Sequence, residues 1–348
     1  MQILLGWQKA TEQLEWIRPL AQATAEFMVP EWSADQNHYD ADAGELMRLA
    51  PHADIIVGWN FPPEVLKVAV KMKMLSSAHT GIDRYDLALL RQRGVLLTNA
   101  SGVNAVAVAE HAMALLLALA KRIVSHDAAV RRVDWVDLSP ETAGILLAGK
   151  TAVILGLGRI GKLIAKRCRA FDMTTIGVKR DVSKPAPEVD QLFSSANLKE
   201  TLRLADVVMI SLPLTPQTRG LMGPDQFSCL KSGALLVNVG RGMVVRESAV
   251  HEALTRGTLG GFSADVWWDY ADSSPAGYHY NVPSRLHVHR LPNVVGSPDM
   301  ASNVHGMRER MIEFAMENVC EFLAGTTPRR AIDLSVAVQS GGAAPVFE

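Results

Sequence analysis

Residues 153–161 read Val153-Ile154-Leu155-Gly156-Leu157-Gly158-Arg159-Ile160-Gly161, and a helix-period stretch follows from Lys162 to Ala170. A β-branched run, a G-x-G-x-x-G turn and a helix in that order leave few folds open. Gly156 permits the tight turn, Gly158 lets the backbone approach an anion, and Gly161 lets the helix pack on the strand. The helix N-terminus, with Arg159 and Ile160 in its first turn, offers N–H groups that have no partner inside the helix. The pattern predicts a strand–turn–helix unit of a doubly wound parallel sheet that binds the pyrophosphate of a dinucleotide.

In such a unit an acidic residue about twenty positions on, at the end of the next strand, accepts hydrogen bonds from the adenosine ribose. Here that strand ends Ile176-Gly177-Val178-Lys179-Arg180. Lys179 stands where the acid is expected and Arg180 follows it, so the position attracts a 2′-phosphate and lacks the carboxylate that would repel one. NADP is therefore favoured over NAD. Asp181, one place later, is the residue that could still reach a ribose.

Around this unit the chain alternates strands and helices twice. Ile3 to Leu5, Asp54 to Val57, Met74 to Ser77 and Val95 to Thr98 read as strands of one series; Thr151 to Leu155, Thr175 to Val178, Val207 to Ser211, Leu235 to Val239, Gly261 to Val266 and Val294 to Gly296 read as strands of a second. A length of 348 residues suits two domains. The expected boundaries are 1–102 plus 297–335 for one and 103–296 for the other, both α/β with doubly wound parallel sheets (Rossmann/flavodoxin-like) and a cleft between them, and 336–348 as a frayed tail. Ala105 to Lys121 reads as one helix, apolar nearly all round, which argues for burial between domains or subunits and hence for a homodimer.

The composition excludes several function classes. With 35 Lys and Arg against 36 Asp and Glu, no bulk field draws the chain to nucleic acid or an anionic membrane. Hydrophobic residues at 48% and charged residues at 20% do not describe a disordered chain. Cys168, Cys229 and Cys320 are too few and too scattered for a disulfide framework or a CxxC metal site, and no other metal constellation is visible. A reducing, cytoplasmic compartment fits. The N-terminus has no basic n-region or cleavage site and reads as a first strand, and the longest apolar run, Ala112 to Ala120, is too short to span a bilayer.

From the second expected domain onward the sequence resembles the D-isomer-specific 2-hydroxyacid dehydrogenase family. The resemblance is carried by Val108-Ala-Glu110-His111, the glycine turn at 156–161, Ser211-Leu212-Pro213-Leu-Thr-Pro-Gln-Thr218-Arg-Gly220, Asn238-Val239-Gly240-Arg241-Gly242, Ala264-Asp265-Val266 and Leu291-Pro-Asn-Val-Val-Gly-Ser-Pro298. Gly81-Ile-Asp83 after a strand extends it toward the N-terminus, weakest before residue 50. The resemblance implies that Arg241 binds a substrate carboxylate and polarises the carbonyl, for which a guanidinium donating two parallel hydrogen bonds is suited. It implies that backbone N–H groups around His79, Thr80 and Gly81 hold the other side of that carboxylate. It also implies that Leu212, Pro213 and Thr218 line the adenosine side and that Val239, Gly240 and Asp265 lie near the nicotinamide. Asp265 has a second reading as a cap at a strand end.

Two departures stand out. The family's acid/base histidine follows a proline after the last strand, and its glutamate partner stands five positions after the aspartate that matches Asp265; here those positions are Asp299 and Tyr270. Imidazole gives and takes a proton near neutrality, which reduction of a 2-oxo acid requires and a solvated carboxylate does poorly. Asp299, Tyr270 and His305 are the candidates to replace it, with His279, His287 and His289 behind them. An ionised Asp299 would instead favour a cationic amino or imino acid. Trp267, Trp268, Tyr270, Tyr278 and Tyr280, with Trp59 and Phe61, suggest a bulky or hydrophobic substrate. The expected function is hydride transfer at the carbon next to a carboxylate, with a small carboxylate substrate. Its rivals are an NAD(P) enzyme of altered chemistry, such as imine reduction or a redox-neutral step, and a dinucleotide-binding regulatory protein without turnover.

Overall fold

The computed structural model describes residues 1–7, 10–20, 25–31, 41–83, 85–268 and 283–339. The chain divides into two compact units. The first holds residues 1–104 and the described residues from His305 on; the second holds 105–268 and 283–304. The segment 297–304, placed by the sequence pattern with the first unit, belongs to the second, because its backbone is hydrogen-bonded to Asp265.

In the first unit five parallel strands run β1 Gln2–Leu5, β2 Glu26–Met28, β3 Ile55–Gly58, β4 Met74–Ser77 and β5 Leu96–Thr98, in the order β2-β1-β3-β4-β5. All four residues of β3 and of β4 are buried, as parallel strands with helices on both faces must be. The helix Met307–Leu323 returns from the far end of the sequence. It buries Met311, Ile312, Ala315, Met316 and Val319, at helical spacing, against Ile3, Leu5, Ile55, Val57 and Met74. Beyond it the Ile332 N–H donates to the Leu97 carbonyl at 2.8 Å, and Leu334–Gln339 forms a helix with Ala337 buried. This corrects the expectation of fraying from 336: the first part of that segment continues a helix that packs against the helix Leu87–Gln92, and 340–348 lie outside the described residues.

The second unit carries seven parallel strands, β6 Thr151–Leu155, β7 Thr174–Lys179, β8 Gln191–Ser194, β9 Val207–Ile210, β10 Ala234–Asn238, β11 Leu259–Ala264 and β12 Val294–Gly296, in the order β12-β11-β10-β9-β6-β7-β8. The direction of winding reverses between β6 and β9, the switch point at which open α/β sheets bind ligands beyond the carboxyl ends of their strands. The helix Ala105–Ala120 packs on this sheet and on the helix Arg159–Ala170, with Ala109, Ala112, Leu116 and Leu119 set against Ile154, Met209, Val237, Ile164 and Cys168. Only Val106, Glu110 and Ala114 form an exposed stripe. Its near-continuous apolarity is thus satisfied largely inside its own unit, and does not itself call for a second subunit.

β2 and β8, both short edge strands, escape the sequence pattern; neither forms the fully buried apolar run that marks the central strands.

Gly161 shows how tightly the second unit is built. A Cβ there would overlap the carbonyl oxygen of Gly156 and come within 2.9 Å of Ser211 Oγ. Alanine would add about 1 kcal/mol of helix propensity, but forcing a carbon into a packed backbone contact costs about 1–3 kcal/mol. Gly161→Ala should therefore lower the melting temperature by a few degrees in a thermal melt, at roughly 2–4 °C per kcal/mol for a unit of this size; an unchanged or raised melting temperature would show that the helix can move off the strand.

Candidate active site

The phosphate loop sits at the carboxyl end of β6. Gly156 adopts φ +94, a left-handed conformation that L side chains rarely take, and its carbonyl accepts from Ser211 Oγ at 3.0 Å. Gly158 caps the helix Arg159–Ala170, and a Cβ placed on it meets no atom within 4 Å. The chain thus keeps open the side on which a pyrophosphate would approach the first-turn amides of Arg159, Ile160 and Gly161, and its residues fit a dinucleotide. Leu212 lies beneath the turn, its Cδ2 3.0 Å from where a Cβ of Gly156 would stand. Thr218 has a local duty: its Oγ1 donates to the Pro213 carbonyl at 2.7 Å and accepts from the Thr215 N–H at 2.8 Å, closing the 213–218 turn.

β7 ends on Lys179, whose Nζ donates to the Lys184 carbonyl at 2.6 Å, and Arg180 beside it is exposed. Asp181, the alternative ribose acceptor, is already engaged. Its Oδ1 accepts from the Ser183 N–H at 2.9 Å and from the Ser183 hydroxyl at 2.5 Å, and these bonds hold its carboxyl below the usual range.

Arg241 lies just past the end of β10 in extended backbone. Asn238 fixes this corner from both sides: its Oδ1 accepts from the Gly240 N–H at 3.0 Å and its Nδ2 donates to the Arg241 carbonyl at 3.0 Å. Val239 is buried and donates its N–H to the Ile210 carbonyl at 3.0 Å. A Cβ on Gly242 would overlap the Trp267 carbonyl, so Gly240-Arg241-Gly242 is pressed against the end of β11. Arg241 Nη1 donates to the Gly240 carbonyl at 2.9 Å, and the residue remains partly exposed.

At the ends of β11 and β12 one carboxylate organises a turn. Asp265 is 2% exposed. Its Oδ1 accepts from Ser297 Oγ at 2.5 Å and from the Met300 N–H at 2.8 Å, and its Oδ2 accepts from the Ala301 N–H at 2.9 Å. Its backbone carbonyl accepts from the Asp299 N–H at 2.8 Å. Burial pushes the Asp265 carboxyl up, but hydrogen bonds from His111, Ser297, Ala301 and Met300 outweigh it and hold the group below the usual carboxylate range. The turn lifts Asp299 into the left-handed region at φ +59. Trp267 clamps the other side, its Nε1 donating to the Ser297 carbonyl at 2.9 Å.

Sequence reasoning missed His111. It names this residue only as part of a motif and searches elsewhere for an imidazole, yet His111 Nε2 lies 2.7 Å from Ser297 Oγ and 3.4 Å from Asp265 Oδ1. Only the family resemblance of Val108-Ala-Glu110-His111 drew attention to it, because 186 residues separate it from Ser297.

The other expected residues fall in several places. His305 belongs to the first unit and is exposed, without a hydrogen bond to any described residue. Tyr270, Tyr278, His279 and Tyr280 lie outside the described residues. His289 packs edge-on against Trp267 at 6.3 Å, and burial pushes its imidazole down, so that it serves the aromatic packing. Trp267 is buried, and Trp268 donates Nε1 to the Val245 carbonyl at 2.6 Å. Trp59 and Phe61 are core residues of the first unit. The aromatics read as a pocket are, where described, packing, because each finds an apolar neighbourhood or a backbone acceptor in its own unit.

In the first unit the loop after β4 carries His79, Thr80 and Gly81. The His79 N–H donates to Ser77 Oγ at 3.2 Å, so it is engaged rather than open to a carboxylate. Tyr85 Oη steadies the loop by donating to the Trp59 carbonyl at 2.8 Å and lies 3.0 Å from Ser77 Oγ; Asn99 Nδ2 donates to the Thr80 carbonyl at 2.7 Å.

The model of the "D-isomer specific 2-hydroxyacid dehydrogenase, NAD binding domain" matches residues 113–301. The chain is 34% identical over 282 residues to a glyoxylate reductase of Thermococcus litoralis, covering 80% of this chain and 82% of that protein. It is 32% identical over 294 residues to a D-3-phosphoglycerate dehydrogenase of Archaeoglobus fulgidus, covering 83% of this chain and 53% of that protein, so it spans about half the length of such relatives. Among solved structures, the TT0316 protein of Thermus thermophilus superposes with a TM-score of 0.73 at 32% identity, covering 95% of this chain and 99% of that one. With the family model matching more than half of its length, and with the phosphate loop, Arg241 and Asp265 at their expected strand ends, the chain belongs to the D-isomer specific 2-hydroxyacid dehydrogenase family.

Proposed function

We propose that this chain is an NAD(P)-dependent oxidoreductase of the 2-hydroxy acid/2-oxo acid type, acting at the carbon next to a carboxylate. The observation that carries the reading is the presence together of an open phosphate loop around Gly158 and a firmly seated Arg241 backbone at the carboxyl ends of β6 and β10, two strands of one sheet with β9 between them. A regulatory protein without turnover has less need of the second. When bound, the nicotinamide supplies or accepts the hydride. Arg241 anchors the carboxylate by paired hydrogen bonds, and the Thr80 and Gly81 amides, which donate to no described residue, are offered as its second anchor. Asp299, at the position of the family's histidine, holds or gives the proton at the substrate oxygen. Tyr270 and His305 are weaker candidates for that duty, the second because it is exposed in the first unit.

One observation favours a second reading. At neutral pH an ordinary carboxylate has already lost the proton that an imidazolium can still give, and it is a better neighbour for a cation; reduction of an imine, formed from a 2-oxo acid and an amine, would use it as such. The site is also proposed to prefer NADPH, because β7 ends on Lys179-Arg180 and Asp181 is turned to Ser183. A homodimer is supported by the segment 123–146 rather than by the long helix. There Ile123, Val124, Val130, Val133, Leu138 and Leu146 are exposed together with Trp135, which is 93% exposed, an apolar surface that a second copy would cover. Three free cysteines suit the reducing interior of a cell.

Three outcomes are expected. Nicotinamide absorbance should fall when the protein is mixed with NADPH and 2-oxo acids from glyoxylate to phenylpyruvate, with and without ammonia, and Asp299→Asn should slow turnover by about 10²-fold or more while leaving NADPH binding intact. Turnover only with amine selects the imine reading, and no turnover with cofactor bound sinks both. By fluorescence titration NADPH should bind at least about tenfold tighter than NADH, a difference of about 1.4 kcal/mol, and a Lys179→Asp, Arg180→Ser double variant should remove it; equal affinities in the unaltered protein would end the NADP assignment. In light scattering after gel filtration the protein should run as a dimer and Trp135→Asp, Leu138→Asp as a monomer.

A further inference from the structure

His111 is the imidazole that meets the turn carrying Asp299, and its hydrogen bonds fix which way its protons point. Ser297 has one hydroxyl proton, and Asp265, held as a carboxylate, can only accept. The 2.5 Å contact between them therefore runs from Ser297 Oγ to Asp265 Oδ1. With that proton committed, Ser297 Oγ faces His111 Nε2 at 2.7 Å as an acceptor, so Nε2 carries a hydrogen and donates. The chain reads His111 Nε2–H to Ser297 Oγ–H to Asp265 carboxylate. The same carboxylate receives the Met300 and Ala301 amides on either side of its two oxygens.

We propose that His111 is a positioning residue of this site: its Nε2–H, given to Ser297, completes a three-member chain that holds the 297–301 turn and so aims the side chain of Asp299. The inference rests on the reading of Asp299 given above, but the orientation of the chain does not. His111 stands nearly two turns into the helix Ala105–Ala120, which the sheet and the helix Arg159–Ala170 clamp, so the donor comes from a fixed support. The charged groups around it are few. Asp265 lies 3.4 Å away from the β11 side, and Asp299 is two residues past Ser297 on the β12 side. On its own helix Glu110 is paired to Arg167 of the neighbouring helix at 3.1 Å, and β10 contributes no titratable side chain. The donor is also economical: losing it would leave Ser297 Oγ one partner short in a part-buried position, and the turn one restraint looser.

The test uses the full chain and two variants. His111→Phe keeps an aromatic of similar size but has no donor; His111→Gln restores an N–H at about the reach of Nε2. With 15N-histidine labelling, the neutral ring of His111 should show a protonated Nε2 and a bare Nδ1. With 15N-methionine labelling, the amide of Met300 should shift in His111→Phe and return in His111→Gln. With the 2-oxo acid or imine substrate found active, His111→Phe should lower kcat about tenfold or more with KM for the substrate and NADPH affinity changed less than about twofold, and His111→Gln should recover most of kcat. A bare Nε2, an unmoved Met300 amide in His111→Phe, or a His111→Gln that folds and behaves as His111→Phe would each overturn the proposal. If the unaltered protein turns over nothing, the function proposed above fails while the two nitrogen measurements still decide the chain; should His111→Phe not fold, the tautomer and His111→Gln decide it.

Discussion

An ionised carboxylate buried at the end of a β-strand is the interaction on which the site depends. A buried charge without partners costs several kcal/mol, and Asp265 escapes that cost only because a hydroxyl and two backbone amides converge on its two oxygens. The dependence is mutual. The turn 297–301 has no regular structure to hold its N–H groups, and Asp265 supplies the acceptors that a neighbouring strand supplies elsewhere in the sheet. The site is thus fixed by one charge that needs the turn and one turn that needs the charge.

Two further supports bear on the same few residues. Trp267 follows Asp265 by two positions and reaches back with its indole N–H to the Ser297 carbonyl, while its own carbonyl fills the space that a side chain at Gly242 would take. The corner holding Arg241 and the turn holding Asp299 therefore share a wall. A change in the size of residue 267 would disturb both the proposed carboxylate anchor and the proposed proton carrier, which is why the tryptophan pair belongs to the architecture of the site and not to a substrate pocket.

What could be read in the sequence follows physical range. The central strands, such as β4 and β6, announce themselves as short apolar runs because both faces are covered. The phosphate loop is legible because its three glycines fall within six residues, Gly156 for its left-handed backbone, Gly161 for its contact with the Gly156 carbonyl and Gly158 for the open approach it leaves. Arg241 and Asp265 were found through the resemblance, at positions the strand pattern then placed at strand ends. The edge strands β2 and β8 escaped, since nothing local obliges an edge to be apolar. His111 escaped because its partners, Asp265 and Ser297, stand just past the ends of strands that are its neighbours only after the sheet is assembled. Asp299 stands out in the sequence as a departure from the family's pattern, but nothing there shows that its backbone is left-handed.

That left-handed backbone has an evolutionary meaning. Away from glycine, the conformation is tolerated chiefly by asparagine, aspartate and histidine. Codons for histidine and aspartate differ at a single base. Position 299 can therefore pass between imidazole and carboxylate without refolding the turn that presents it, so a lineage built on this scaffold can exchange the acid/base character of its site in one mutational step and leave selection to act on chemistry alone.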